Sequence, residues 1–187
     1  MEKGWVLKVT GEITHGAFAN ERLGKILKYF GPRAFKRTSI CMEFEHFLKR
    51  INARGKCCLE IGSYNGISAI ILSQYFDKVV CLSLDNDKSI VRDEIIEYLG
   101  IKNIRFIDLK NNRQKQRVIK KLNFDFCYSD GDHEIDAESD FNLVRHCGWV
   151  LFHEYWPLQP SVWNLVNSLP ENQVTRATHD CLACWHG

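Results

Sequence analysis

From Lys56 onward the apolar periodicity of this chain switches repeatedly between the strand and helix repeats, and that alternation restricts its fold more than any other feature. Short strand-like runs stand at Cys57–Ile61, Lys78–Leu84, Ile104–Ile107, Phe124–Ser129 and Trp149–His153. Helix-like stretches separate them at Ile67–Phe76, Lys88–Leu99, Arg113–Leu122 and Ala137–His146, with Gly100 as a C-terminal stop. Strands that alternate with helices pair in parallel through right-handed crossovers, giving an open sheet with helices on both faces. Two helices should precede this unit. Asn20–Phe30 carries Leu23, Ile26, Leu27 and Phe30 on one face between an Asn N-cap and Gly31-Pro32, and Ser39–Asn52 has Ile40, Phe44, Phe47, Leu48 and Ile51 at helical spacing. A helix near Ser161–Leu169 follows, and Val174–His179 and Cys181–His186 read as an antiparallel strand pair about a tight turn at Asp180. The expected architecture is one α/β domain over residues 1–187: a helical segment at 1–55, then a doubly wound, mostly parallel sheet at 56–187.

The 187 residues are enough to bury a core, and 45% hydrophobic against 26% charged residues is a globular composition. A net charge of +2 gives no global field of the kind that gathers nucleic acid, although residues 1–56 are distinctly basic, a pattern expected of a solvated surface. No apolar run approaches the ~18 residues that cross a bilayer, and the start of the chain lacks the apolar stretch of a signal peptide. Cys57, Cys58, Cys81 and Cys127 lie inside strand-like runs, where a thiol serves as a small hydrophobe. This usage points to a reduced, cytoplasmic protein rather than a disulfide framework.

Chemistry in an open α/β sheet collects beyond the carboxyl ends of the strands. The first strand runs through Glu60-Ile61-Gly62-Ser63-Tyr64-Asn65-Gly66 directly into a helix. A dinucleotide site carries G-x-G-x-x-G, so that a pyrophosphate reaches the helix N-terminus. Here the spacing is G-x-x-x-G with an acid two residues ahead, which suits a nucleoside lacking a pyrophosphate and argues against NAD.

The segment Leu59 to Ala69 resembles the first motif of the class I S-adenosylmethionine-dependent methyltransferases. Phe124-Asp125-Phe126-Cys127-Tyr128-Ser129-Asp130-Gly131-Asp132-His133, with Gly148 to Tyr155, is similar to the fourth and fifth strands of small-molecule O-methyltransferases of the catechol and macrolide-sugar types. The resemblance covers residues 40–187 and implies a Rossmann-like methyltransferase fold, S-adenosylmethionine as cofactor and a small-molecule hydroxyl as methyl acceptor. It implies that Glu60, Gly62, Ser63, Tyr64, Gly66 and Asp130 surround the cofactor. The family's ribose-binding acid aligns with Ser83, so Asp85, two residues on, is expected to take over the ribose diol.

Methyl transfer to a hydroxyl requires positioning and removal of a proton. By resemblance, Asp130 and Glu154, with His153 beside them, are the candidate ligands of Mg²⁺, a hard ion that takes oxygen donors, and His133 is the candidate base beside Asp130. Asp130-Gly131-Asp132 also has the composition of an ordinary turn. His179, Cys181, Cys184 and His186 invite a zinc reading, but Cys181 and Cys184 in one strand would point to opposite faces, so a terminal hairpin is preferred. Two alternatives remain: a methyltransferase acting on nitrogen or nucleic acid, which lacks support from any Asn-Pro-Pro-Tyr-like motif, and a cofactor-binding domain that has lost catalysis, suggested by Ser83.

Overall fold

A computed structural model describes residues 20–35, 44–84, 90–131, 137–178 and 181–187. Helix α1 (Glu21–Phe30) starts on Asn20, whose side chain accepts the backbone N–H groups of Arg22 and Leu23, and stops at Gly31, at φ +67°. Asn20 also donates to Glu45 at 2.8 Å, which ties α1 to α2 (Phe44–Arg50). The expected start of that second helix, at residues 39–43, lies outside the described residues.

The remaining elements follow in order: β1 (Gly55–Ile61), α3 (Ile67–Leu72), β2 (Phe76–Ser83), α4 (Ile90–Tyr98), β3 (Ile104–Asp108), α5 (Asn112–Ile119), β4 (Phe126–Ser129), α6 (Ala137–Val144), β5 (Trp149–Phe152), α7 (Pro160–Ser168), β6 (Val174–Arg176) and β7 (Ala183–His186). The sheet runs β3-β2-β1-β4-β5-β7-β6. Its first five strands are parallel, and β7 pairs antiparallel with both β5 and β6. The doubly wound, mostly parallel fold class and its terminal antiparallel pair are therefore as the periodicity implies. Chain order reverses between β1 and β4, which opens a crevice at their carboxyl ends.

The two-residue repeat of the strands builds two apolar layers. Cys58, Val79, Cys81, Phe126, Tyr128 and Leu151 face α1 to α4. Leu59, Ile61, Val80, Leu82, Cys127, Val150 and Phe152 face α5, α6 and α7.

Several boundaries differ from the expected ones, each for a tertiary reason. Phe76 belongs to β2 rather than to the helix before it, because pairing with Gly55 draws it into the sheet and its ring packs on Phe126 with centroids 5.0 Å apart. Residues Phe124 and Asp125 precede β4. The Asp125 carboxylate accepts the backbone N–H groups of Lys56 at 2.8 Å and Cys57 at 3.0 Å, and its own N–H donates to Cys57 O at 3.0 Å, so side-chain bonds share the junction with the backbone there. Cys181 precedes β7 rather than lying in it, so the opposite-faces argument fails for Cys181 and Cys184, and both thiols pack in the first layer. His179 and Asp180 lie outside the described residues. Among the described residues no helix is long and apolar enough to cross a membrane.

Candidate active site

A cavity of about 430 Å³ opens at the carboxyl ends of β1, β2 and β4, lined by Ile61, Gly62, Tyr64, Leu82, Ser83, Leu84, Leu109, Lys115, Asp130 and Gly131. Its volume is within the range of small-molecule sites. Ile61, Leu82, Leu84 and Leu109 form apolar walls, while Ser83, Lys115 and Asp130 supply polar groups. Apolar walls beside a few hydrogen-bonding groups are the chemistry that would suit a nucleoside, with its base against the walls and its hydroxyls on the polar groups.

The loop after β1 is built by backbone constraint. Gly62 sits at φ +90°, and Gly62 N–H donates to Leu82 O at 2.8 Å, locking the loop to β2. Gly66, at φ +74°, leads into α3, where a Cβ would stand 2.8 Å from Phe106 Cζ. Only glycine takes such φ values without steric cost. Tyr64, at φ +36°, holds a left-handed conformation without that freedom, a form of strain that clusters at ligand sites.

Of the residues expected around a cofactor, Gly62, Tyr64 and Asp130 line the cavity. Glu60 does not. It is fully buried on the opposite strand face, where it accepts a hydrogen bond from Ser68 Oγ in α3. Burial pushes its pKa up to about 7, against the opposing effect of the Ser68 and Cys81 donors, with the charge of Asp130 adding to the rise. Its position, an even place on β1, directs it away from the cavity that Ile61 faces. Ser63 is buried within the loop and Gly66 backs onto Phe106, so both shape the loop without lining the cavity. Ser83, at the end of β2, does line it. Asp85 and His133 lie outside the described residues.

Asp130 and His153 come together. His153 Nδ1 is 2.7 Å from Asp130 Oδ1, and Tyr128 Oη donates to Asp130 Oδ2 at 3.3 Å. Burial alone would oppose a charge on His153, but Asp130 and Cys181 outweigh it and hold the ring's pKa well above the ordinary histidine value. Glu154 follows at φ +57°. Among the described residues no group of three or more His, Cys, Asp or Glu side chains gathers as a metal site. His153 lies against the Asp130 carboxylate and offers nitrogen, whereas Mg²⁺ takes oxygen donors.

Sequence reading missed Lys115 and Asp140. Both are buried, with Lys115 Nζ 2.8 Å from Asp140 Oδ1, and Lys115 reaches the cavity wall. The signal was present: Asp140 occupies an apolar-face position of α6, beside Ala137, Phe141 and Val144, where only a paired charge belongs.

No protein-family model matches the chain, and no curated protein matches it in sequence. Solved structures do share its fold. An O-methyltransferase from Bacillus cereus in complex with SAH aligns at 14% identity over 90% of this chain and 91% of the other, with a TM-score of 0.66. The cofactor-bound protein Rv0187 from MTB aligns at 14% identity over 89% of each chain, with a TM-score of 0.69. An rRNA methylase from Streptococcus thermophilus aligns at 12% identity over 75% of this chain and 90% of the other, at 0.55. The fold is the Rossmann-like fold of class I methyltransferases.

Proposed function

We propose that this protein is an S-adenosylmethionine-dependent methyltransferase that methylates a hydroxyl group of a small molecule. The observation that carries the reading is the cavity beyond β1, β2 and β4, closed on one side by a glycine loop that presents no pyrophosphate cradle. The SAH-bound Bacillus cereus O-methyltransferase of the same fold supports it.

The cofactor supplies a methyl group on a positively charged sulfur. Leu82, Leu84 and Leu109 offer apolar surface to its base, Ser83 with Asp85 takes the ribose hydroxyls, and Gly62 and Tyr64 bound the methionine end. Asp130, on the cavity wall, accepts the acceptor's proton, with His133 as the second candidate base. Positioning of the acceptor opposite the sulfur supplies most of the rate.

Calorimetry and thermal shift with S-adenosylhomocysteine and NAD test the cofactor. S-adenosylhomocysteine should bind and raise the melting temperature, since a ligand of the native state stabilises it. Binding of NAD with no response to S-adenosylhomocysteine would overturn the reading.

A further inference from the structure

Helix α5 and its approaches form a basic segment without a free acid. From Lys110 to Lys121 six of the twelve residues are Lys or Arg, four are Asn or Gln, and none is acidic. The stretch just before adds Lys102 and Arg105, and its one acid, Asp108, lies 3.2 Å from Arg92 Nη1. The net charge of +2 does not register this run, because acids elsewhere in the chain balance it. Every one of these eight cations except Lys115 is exposed.

Packing sorts the helix into two faces. Lys115 and Ile119 are its buried residues, and Lys115 is held by Asp140 at 2.8 Å. Arg113, Arg117 and Lys120 follow one another at i, i+4 and i+7, so they share the opposite face, in solvent. The residue before Lys110 is Leu109, which lines the cavity, so the basic face begins at the cavity rim and runs down the outside of the second apolar layer.

This face is arranged against the helix that carries it. Like charges four residues apart repel, as Arg113 does Arg117 and Arg117 does Lys121. Arg113 also stands in the first turn, where the helix dipole disfavours a cation and where α5 has no acid. Other exposed helices of the molecule are built the other way. Glu21 pairs with Lys25 along α1 at 2.7 Å, and Glu45 with Lys49 along α2 at 2.9 Å. Among the described residues no ion pair reaches Arg113, Arg117, Lys120 or Lys121.

The chemistry of the face selects its partner. A helix that lies on a bilayer needs an apolar side, and a protein interface has an apolar core within its polar rim. None of the exposed large apolar side chains among the described residues lies between 102 and 121, so no exposed ring is there for an unpaired base to stack on. Exposed Arg and Lys interleaved with Asn112 and Gln116 are instead the groups that contact phosphate oxygens and sugars. We infer that the outer face of α5, with Lys110, Lys120 and Lys121 at its ends, is a docking surface for the phosphate backbone of a nucleic-acid duplex. The inference goes beyond the methyltransferase reading and does not rest on it.

Fluorescence anisotropy with labelled 20-base-pair RNA and DNA duplexes, between 50 and 200 mM NaCl, tests it. The wild type should bind at least one of them, with log affinity falling linearly in log salt by about 0.9 for each phosphate neutralised. The triple variant Arg113→Gln/Arg117→Gln/Lys120→Gln should lose at least tenfold in affinity at 50 mM NaCl and flatten the salt slope by about 1 per cation removed. Lys25→Gln/Lys28→Gln/Lys49→Gln removes the same charge from α1 and α2 and should change neither. All of these substitutions lie on exposed positions, and thermal melts of each variant confirm folding. No binding of either duplex at 50 mM NaCl, equal losses in the two triple variants, or a tighter hold on the single strand than on the duplex would overturn the inference.

Discussion

The carbonyl oxygen of Asp130 occupies the space that a Cβ on Gly62 would need. The loop after β1 therefore lies directly on the residue that follows β4, and backbone contact fixes how the two halves of the cavity meet. Gly62→Ala combines that collision with a φ of +90° that L-residues avoid. The expected cost is ~2–3 kcal/mol of stability, the range for forced overpacking, together with loss of S-adenosylhomocysteine binding. Urea unfolding and calorimetry check both.

Glu60 makes stability depend on pH. Its pKa in the fold is pushed up to about 7 by burial, so the native state keeps its proton longer than the unfolded chain does. Between about pH 4.5 and 7 the native state thus binds more protons, and stability falls as pH rises through that window. The size of this loss is on the order of 3 kcal/mol, at ~1.4 kcal/mol for each pH unit separating the two values. Glu60→Gln should flatten this dependence, leaving the variant more stable relative to wild type at pH 8 than at pH 5. Urea midpoints across pH provide the measurement. An equal slope in both proteins would show that another group is responsible.

The buried pair at Lys115 and Asp140 gives an asymmetric expectation. Lys115→Met removes the ammonium partner of a buried carboxylate and should cost about 3–5 kcal/mol. The double variant Lys115→Met/Asp140→Leu should recover most of that, since it removes both charges together. A double-mutant cycle read by chemical denaturation would reveal additive losses if the pair is not coupled.

Ser83 sits on the cavity wall where the family resemblance places a ribose-binding acid. Ser83→Asp should tighten S-adenosylhomocysteine binding. Asp85→Ala should weaken it by ~1.5–3 kcal/mol, as expected for a lost charge-assisted hydrogen bond. An unchanged dissociation constant in a folded Asp85→Ala protein would remove Asp85 from the site.

The cap on α1 offers a local check. Asn20 serves two backbone N–H groups and also bonds Glu45. Asn20→Ala should cost about 1 kcal/mol for the cap. Asn20→Asp, which keeps the acceptor but faces Glu45 with a like charge, should fall between the two in thermal melts.

The sequence determined what depends on neighbours along the chain. Alternating periods specify parallel strands with helices between them, Asn20 and Gly31 bracket a helix by capping chemistry, and Gly62 and Gly66 mark a sharp turn after the first strand. Those signals place the crevice, because a loop that follows the central strand must open at the switch point. Tertiary structure decided which side chains share that crevice. Glu60 and Ile61 are adjacent in sequence, yet the pleat sends one toward Ser68 and the other to the cavity wall. Asp130 and His153 are far apart in the chain, and only the register of β4 on β5 brings them to 2.7 Å, as the placement of β7 brings Cys181 to the same ring. Lys115 meets Asp140 only when α5 and α6 pack on one face of the sheet. Local periodicity reports which face a residue takes, but the distance between side chains on different strands is set by register and packing, which no stretch of sequence carries by itself.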